Sequence, residues 1–161
     1  MPLWHLPLLR HSAVTPDTLT DPSPDEASLL WLHHERLALD RHFKAGRALI
    51  DRVGLQRGER VLELACNTGQ LTEVLAQRVG PHGDVLGLDP MPLRVHLAHQ
   101  QYTLRQLRFQ IGDVGQLERF PDGVFDVVIS NSALRPGPQG LRDLASLRRL
   151  VAPGGRLGVS V

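Results

Sequence analysis

The stretch Val61-Leu-Glu-Leu-Ala-Cys-Asn-Thr-Gly69 decides the fold of this chain. Residues Arg60–Leu64 are mostly aliphatic and predict a short buried strand. Small and turn-forming residues follow, and Gln70–Val79 then carries apolar residues at helical spacing. In this order of strand, tight loop and helix, the first amides of the helix are unpaired beside the carboxyl end of a strand. Backbone N–H groups at that point can hold an anionic or polar ligand.

A second apolar strand, Val85–Asp89, follows and ends in a carboxylate. A strand–loop–helix unit with a glycine in its loop, followed after about twenty residues by a strand-end acid, is the pattern that holds a ribose-containing cofactor. The sequence therefore predicts one crevice in which the loop and Asp89 bind opposite ends of a nucleoside.

The rest of the chain alternates between strand patterns and helix patterns. Further strands are predicted at Leu107–Ile111, Val124–Ser130 and Arg156–Val161. Helices are predicted at Pro92–Leu104 and Leu141–Val151. Strands that alternate with helices indicate an α/β fold with a parallel sheet and right-handed crossovers.

Three segments are predicted along the chain. Residues 1–24 contain five prolines and no sustained period, which indicates an irregular N-terminal arm. Residues 25–54 carry an apolar pattern typical of one or two helices, with Gly46 as a candidate break between them. Residues 55–161 form the α/β core.

Composition excludes several classes of function. Eighteen basic and seventeen acidic residues leave the chain nearly neutral, which does not favour a nucleic-acid partner. One cysteine excludes an internal disulfide and a cysteine zinc cluster, and it fits a reducing cytoplasm. No apolar run is long enough to span a membrane. The spacing of His96 and His99 would suit a metal on one helix face, but with no third ligand in the pattern we predict a solvated face and no metal.

Several of these motifs together resemble the class I S-adenosylmethionine-dependent methyltransferases, in that family's order and at its usual spacings. The resemblance covers roughly residues 55–161. It implies a doubly wound Rossmann-like sheet in the order 3-2-1-4-5, with S-adenosyl-L-methionine across the carboxyl ends of the first three strands. It also implies that the N-terminal helical segment 25–54 forms a lid over the site, so that part of it would line the substrate pocket. The motifs that carry it are Val61–Gly69, Asp89, Ile111-Gly-Asp113, Phe120–Ile129 and Leu150–Arg156.

The loop after the first strand would hold the methionyl part of the cofactor. Its candidate residues are Ala65, Cys66, Asn67 and Gly69. The family usually has glycines where this chain has Ala65 and Asn67. Asparagine enters positive φ more readily than other non-glycine residues, whereas we expect Ala65 to be tolerated only at negative φ. The alternative is a tight turn that serves only helix–sheet packing.

The acidic residues have separate implied roles. Glu63 would orient the loop amides or meet the cofactor's ammonium group, because a carboxylate inside a parallel sheet is costly unless it is bonded. Asp89 would accept from both ribose hydroxyls, and Asp113 from the adenine amino group. Met91 would lie along the adenine, with Val114 on the ring face.

Asn131, at the end of the fourth strand, would position the substrate or the methionyl end of the cofactor. A loop residue that satisfies backbone groups is an equal alternative. The sequence contains no motif for a general base, so it leaves the catalytic residues unknown.

The resulting hypothesis is methyl transfer to a small-molecule acceptor, or the cofactor-binding core of such an enzyme. The printed sequence ends within the fifth strand, where the family normally continues, and such a strand would present an open sheet edge. Three alternatives follow: the chain is a truncated product, a second copy or a partner covers that edge, or the protein has lost catalysis. The alternative function is a catalytically silent methyltransferase-like module that binds a protein partner there.

Overall fold

The computed structural model describes the backbone of residues 26–160 and the side chains of residues 40–160. The irregular arm predicted at 1–24 lies outside the described residues. By their contacts the residues form two units, Met1–Ala38 and Leu39–Val161. Of the first unit, only the helical backbone at 26–38 is described. The second unit contains the sheet, the helices that follow residue 54 and the helical residues 39–53.

The second unit is built on a five-stranded parallel sheet in the order β3-β2-β1-β4-β5. This confirms the predicted doubly wound fold. The strands are β1 (Arg60–Leu64), β2 (Asp84–Asp89), β3 (Leu107–Ile111), β4 (Phe125–Asn131) and β5 (Val151–Ser160). The helices are α1 (Glu26–Val53), α2 (Gln70–Val79), α3 (Pro92–Gln101) and α4 (Pro138–Arg149), with a 3₁₀ turn at Val114–Arg119.

Helix α1 is continuous, so the predicted break at Gly46 is wrong. Gly46 is buried inside the helix, and a Cβ built there would lie 2.2 Å from Leu71 Cδ1 and 3.0 Å from Asn131 Nδ2. The missing side chain therefore lets α1 approach the start of α2 and the end of β4. Glycine in a helix interior weakens the helix, and here close packing is the compensation.

One face of the sheet carries an apolar core shared with three helices. Side chains from the second half of α1, from α2 and from α3 pack on alternate residues of the strands, such as Val61, Val127 and Ile129. The intervening residues of β1 point to the other face, where α4 contacts β5 and the 3₁₀ turn. Buried parallel strands read as nearly continuous apolar runs for this reason.

Two apolar residues of the predicted helices do not reach the core. Leu97 on α3 is 41% exposed and Leu141 on α4 is 69% exposed. Helix α4 begins three residues earlier than predicted, at a proline, and its buried face includes Leu147 instead. The fifth strand begins at Val151, five residues earlier than predicted, because it contains an irregularity opposite Phe125–Val127.

The amino edge of the sheet is held by an ion pair between β1 and β4. The Asp126 carboxylate accepts from Arg60 three times, from the backbone N–H (2.9 Å), from Nε (3.0 Å) and from Nη2 (2.7 Å). These bonds hold the pKa of Asp126 below its ordinary value, despite partial burial. Asp126 is therefore a structural residue at the end of the sheet opposite to the predicted crevice.

Replacing Asp126 by asparagine should cost about 1 kcal/mol of unfolding free energy at pH 7, because the pair is partly exposed and screened. The depressed pKa means that this stability is present above the unfolded pKa of about 3.8 and is lost as pH falls through the folded value. Urea unfolding at pH 7 and pH 3 measures both effects.

The matched control is Asp51→Asn, which removes a more exposed ion pair with Arg78. It should cost less at pH 7. Equal losses in the two variants would show that the three bonds to Asp126 contribute nothing special.

Candidate functional site

The site lies where β1 and β2 end, at the carboxyl edge of the sheet. The loop Ala65–Gly69 leaves β1, and Asp89 is the last residue of β2. In the strand order the crossovers diverge between β1 and β4, so the loop that leaves β1 borders this switch point. A crevice forms at such a switch point in open α/β sheets.

The carboxylate of Asp89 joins the two halves of the crevice. Its Oδ2 accepts from the backbone N–H of Asn67 at 2.9 Å, and its Oδ1 accepts from the N–H of Met91 at 2.9 Å. The aspartate thus faces the bend after β1, as the predicted crevice requires. Each oxygen has accepted one of these bonds and can accept another.

Asp89 is almost completely covered in this structure, with 1% of the residue exposed. Arg94, on the first turn of α3, places Nη1 3.9 Å from Asp89 Oδ2. A ligand that reaches the carboxylate must therefore displace part of its cover. The half-exposed Arg94 side chain is long enough to move aside.

The loop after β1 has an unusual backbone. Ala65 (φ 59°), Asn67 (φ 58°) and Gly69 (φ 89°) are all in the left-handed region. Asn67 adopts the conformation expected of it, but the expectation of negative φ at Ala65 is wrong. A left-handed alanine costs roughly 1–2 kcal/mol relative to the right-handed form. The next residue is fixed to β2, because the Cys66 N–H donates to the Leu88 carbonyl at 2.9 Å.

Aromatic side chains from β3 and from the segment that precedes it pack against Gly69. A Cβ on Gly69 would lie 2.6 Å from Phe109 Cζ and 3.0 Å from Tyr102 Cδ2. The absence of a side chain at Gly69 thus serves helix–sheet packing, which was the alternative to cofactor approach. Gly69 is also the N-cap residue of α2. A role in packing and a role in close approach of the cofactor are therefore compatible.

Cys66 fills space at the centre of the loop. It is buried, and Gly87 on β2 makes room for its Cβ and Sγ. Burial raises the pKa of the Cys66 thiol strongly, and the nearby carboxylates of Glu63 and Asp89 raise it further. The thiol therefore stays protonated and unreactive.

Glu63 is a buried carboxyl group without full hydrogen bonding. It is 1% exposed, and its Oε2 has no hydrogen-bond partner among the described residues. Burial raises the pKa of Glu63 to about 8, the charge of Asp89 adds to the rise, and the nearby Thr72 hydroxyl offsets part of it. No hydrogen bond of normal geometry satisfies that hydroxyl, however. An unsatisfied buried oxygen beside the loop fits a cationic ligand group.

The adenine end of the predicted site is open. Met91 is 46% exposed at the start of α3, and Val114 is half-buried at the start of the 3₁₀ turn. Asp113 is exposed and caps that turn through a bond from Gly115 N–H to Oδ1 (2.9 Å). All three follow the carboxyl ends of β2 or β3, the positions from which they could line one ligand.

Asn131 is bound to protein groups through both ends of its amide. Its Nδ2 donates to the backbone carbonyl of His42 at 2.9 Å, and its Oδ1 accepts from Ser160 Oγ at 2.5 Å. It is 1% exposed. This arrangement favours the alternative in which Asn131 satisfies backbone groups, because it joins α1 to the sheet.

A partly open pocket lies between α1 and the loop. It is lined by His42, Phe43, Cys66, Asn67, Thr68, Gln70 and Leu71. His42 and Phe43 were not among the predicted site residues. The sequence signal for them was only that α1 belonged to a segment expected to line the substrate pocket, and apolar periodicity does not identify which turn does so.

The described part of the chain contains no cluster of three or more metal-ligating side chains. The neighbouring His96 and His99 are both exposed on α3. His99 Nε2 lies 3.0 Å from the backbone carbonyl of Phe109. Within the same residues, no helix combines the length and apolarity that a membrane crossing requires.

The sequence matches a family model described as a methyltransferase domain over residues 61–155. A demethylmenaquinone methyltransferase of Geobacillus sp. (strain WCH70) is 31% identical over 135 residues, which are 80% of this chain and 57% of that protein. A trans-aconitate 2-methyltransferase of Deinococcus radiodurans is 42% identical over 102 residues, which are 63% of this chain and 37% of that protein. The chain thus spans about half the length, or less, of these curated relatives.

Solved structures give the same picture. A chain in the complex of the Haloferax volcanii Trm112 methyltransferase activator with its methyltransferase superposes with a TM-score of 0.68 at 26% identity, covering 80% of this chain and 55% of that one. An arsenic(III) S-adenosylmethionine methyltransferase of Chlamydomonas reinhardtii gives a TM-score of 0.58 at 32% identity, covering 63% and 38%.

Replacing Glu63 by glutamine should stabilise the fold increasingly as pH rises from about 4.5 to about 8. In that window the folded state holds a proton on Glu63 that the unfolded chain releases, so the unfolding free energy of the parent falls with pH. The gap between variant and parent should widen by up to about 1.4 kcal/mol per pH unit. Urea unfolding at pH 5, 6.5 and 8 measures it.

The control is Glu118→Gln, on an exposed residue of the 3₁₀ turn. Its stability curve should run parallel to that of the parent. A parallel curve for the Glu63 variant as well would mean that Glu63 ionises normally in the folded protein.

Proposed function

The chain belongs to the class I S-adenosylmethionine-dependent methyltransferases, and from that premise we propose that it binds S-adenosyl-L-methionine and transfers its methyl group to a small-molecule acceptor. The observation that carries the proposal is the bond between the Asp89 carboxylate and the Asn67 amide, which brings the strand-end acid and the loop into one crevice.

The residues present fit this cofactor. The unsatisfied Oε2 of Glu63 supports an ammonium group at the loop end, where the chain already buries a polar atom without a partner. Asp89, once uncovered, can accept from ribose hydroxyls with its remaining lone pairs. Asp113 and Met91 are exposed at the adenine end. The cofactor supplies an activated methyl group, so this chain's residues must mainly hold it, align the acceptor and exclude water.

The named relatives methylate acceptors of different chemical classes. Relatives carry names that specify a demethylmenaquinone, trans-aconitate or arsenite as the methylated compound. These acceptors share small size but little chemistry. A silent module that binds a protein through the edge of β5 is the second candidate. What favours it is the Haloferax volcanii complex, in which a related chain is solved together with an activator protein.

Isothermal titration with S-adenosylhomocysteine tests cofactor binding. The parent chain should bind, and Asp89→Asn should weaken binding by tens- to a hundred-fold, because charge-assisted bonds contribute about 1.5–3 kcal/mol. Asp126→Asn is the matched control, since it removes an ion-paired aspartate at the opposite edge of the sheet. Thermal melts of both variants separate lost binding from lost folding. No binding by a folded parent chain would overturn the proposal and favour the silent module.

A ligand analogue tests the adenine end separately. S-inosylhomocysteine has an oxygen where the adenine amino group would donate to Asp113, so the parent should bind it about ten-fold more weakly than S-adenosylhomocysteine. Asp113→Ala should remove most of this preference without unfolding the chain, because Asp113 is exposed. If the variant prefers S-adenosylhomocysteine over S-inosylhomocysteine as strongly as the parent does, another group recognises the adenine amino group.

A further inference from the structure

We propose that His42 accepts the proton of the methyl acceptor, and that the acceptor is a neutral molecule with a weakly acidic O–H or C–H group, such as a hydroquinol. This inference rests on the proposed function, because it assigns a role beside the cofactor loop. It goes beyond that function by naming a proton acceptor and a substrate class.

The position of His42 is the first support. Its side chain lines the pocket that the loop residues Cys66, Asn67 and Thr68 close from the other side. This is the loop proposed to hold the methionyl end, next to which the methyl group must be delivered. A base has to lie within hydrogen-bond reach of the proton that it removes.

The chemistry of the pocket lining is the second support. Of the seven residues that line the pocket, His42 and Cys66 are the two with titratable side chains. Because burial raises the pKa of the Cys66 thiol, that sulfur holds its proton at neutral pH and does not compete. His42 is therefore the group in this lining that can take up a proton.

The electrostatic surroundings of His42 favour the neutral form of its imidazole. Half-burial lowers the pKa of His42 below its ordinary value of 6.5, and the positive charge of Arg94 on α3 lowers it further. From the loop side it faces the uncharged Cys66 thiol. The imidazole is thus neutral at pH 7, the state in which it can act as a base.

The backbone at His42 is fixed in place, which is the third support. Its carbonyl accepts from Asn131 Nδ2, and Ser160 Oγ donates to the other end of the same amide. One turn further along α1, Gly46 allows close approach to Leu71. A catalytic group needs such a rigid setting to stay aligned with its substrate.

Methyl transfer couples one bond that forms at the methyl carbon to one bond that breaks there. The nucleophilic oxygen or carbon of the acceptor forms a bond to the methyl carbon, and the methyl–sulfur bond breaks with its electron pair passing to sulfur, which leaves a neutral thioether. The acceptor's proton passes to the imidazole of His42, which becomes positively charged and later releases the proton to water. A carboxylate or an arsenite lone pair would need no such proton acceptor, which is why the presence of the histidine points to a neutral acceptor.

The test uses the full chain, S-adenosyl-L-methionine and 1,4-naphthohydroquinone under exclusion of oxygen, with methylated product measured by mass spectrometry. Above about pH 6.5 the parent rate should be flat, and it should fall at lower pH as His42 is protonated. His42→Gln should lower kcat by about 10²- to 10⁴-fold and lose this acid limb, with KM little changed. His82→Gln, in the exposed turn before β2, is the matched control and should behave as the parent does.

Two measurements do not depend on turnover. Nitrogen-15 NMR should give His42 a pKa below 6.5, with its signal identified by its absence from the His42→Gln variant. Titration with S-adenosylhomocysteine should give the same Kd in parent and variant. Turnover with an unchanged pH profile in His42→Gln would overturn the inference, as would an NMR pKa of 6.5 or above.

The outcomes also separate the two proposals. Binding of S-adenosylhomocysteine with transfer to trans-aconitate but none to the hydroquinone would overturn the inference and leave the proposed function intact. Binding without transfer to the hydroquinone overturns the inference in the same way. Loss of binding in the parent itself would overturn both.

Discussion

The hydrogen bond from the Asn67 amide to the Asp89 carboxylate is the constraint on which the rest of the site depends. It ties the loop after β1 to the end of β2, two segments that are 22 residues apart in sequence. It adds a side-chain acceptor to a loop with three left-handed residues, in which the Cys66 N–H donates to the Leu88 carbonyl and the Gly69 N–H donates to the Cys66 carbonyl. With it, the carboxylate becomes part of the loop's own structure before any ligand arrives. A ligand therefore meets an acid that is already oriented, at the cost of having to uncover it.

Much of this arrangement could be predicted from the sequence because it depends on local patterns. The bounds of β1 and α2 followed from a switch between apolar runs and helical spacing, and the strand order followed from the resemblance to the family together with the alternation of strands and helices. Ala65 shows where such reasoning stops. Its left-handed φ contradicts the intrinsic preference of alanine, and only the surrounding tertiary structure explains it. The same holds for Gly46, which looks like a helix break in sequence but permits close packing in the fold.

Contacts between distant segments account for what the sequence left undecided. Asn131 was equally consistent with a ligand contact and with a structural bond until its two partners, 29 and 89 residues away, were known. His42 carried no motif and could not be distinguished from its neighbours on α1. Its interest comes from lining a pocket with a loop that begins 23 residues later, beside a thiol that the fold keeps protonated. The periodicity of one helix contains no information about which turn meets which loop.

The two hydrogen bonds of the Asn131 amide have a consequence for the outer strand of the sheet. Ser160 belongs to β5, the last strand in the sheet order, whereas the His42 carbonyl belongs to the wall of the pocket. Hydrogen bonds through the Asn131 amide therefore connect the edge strand of the sheet to the residue that we propose as the proton acceptor. A displacement of the end of β5 would be transmitted through the Asn131 amide to the backbone of α1 at His42.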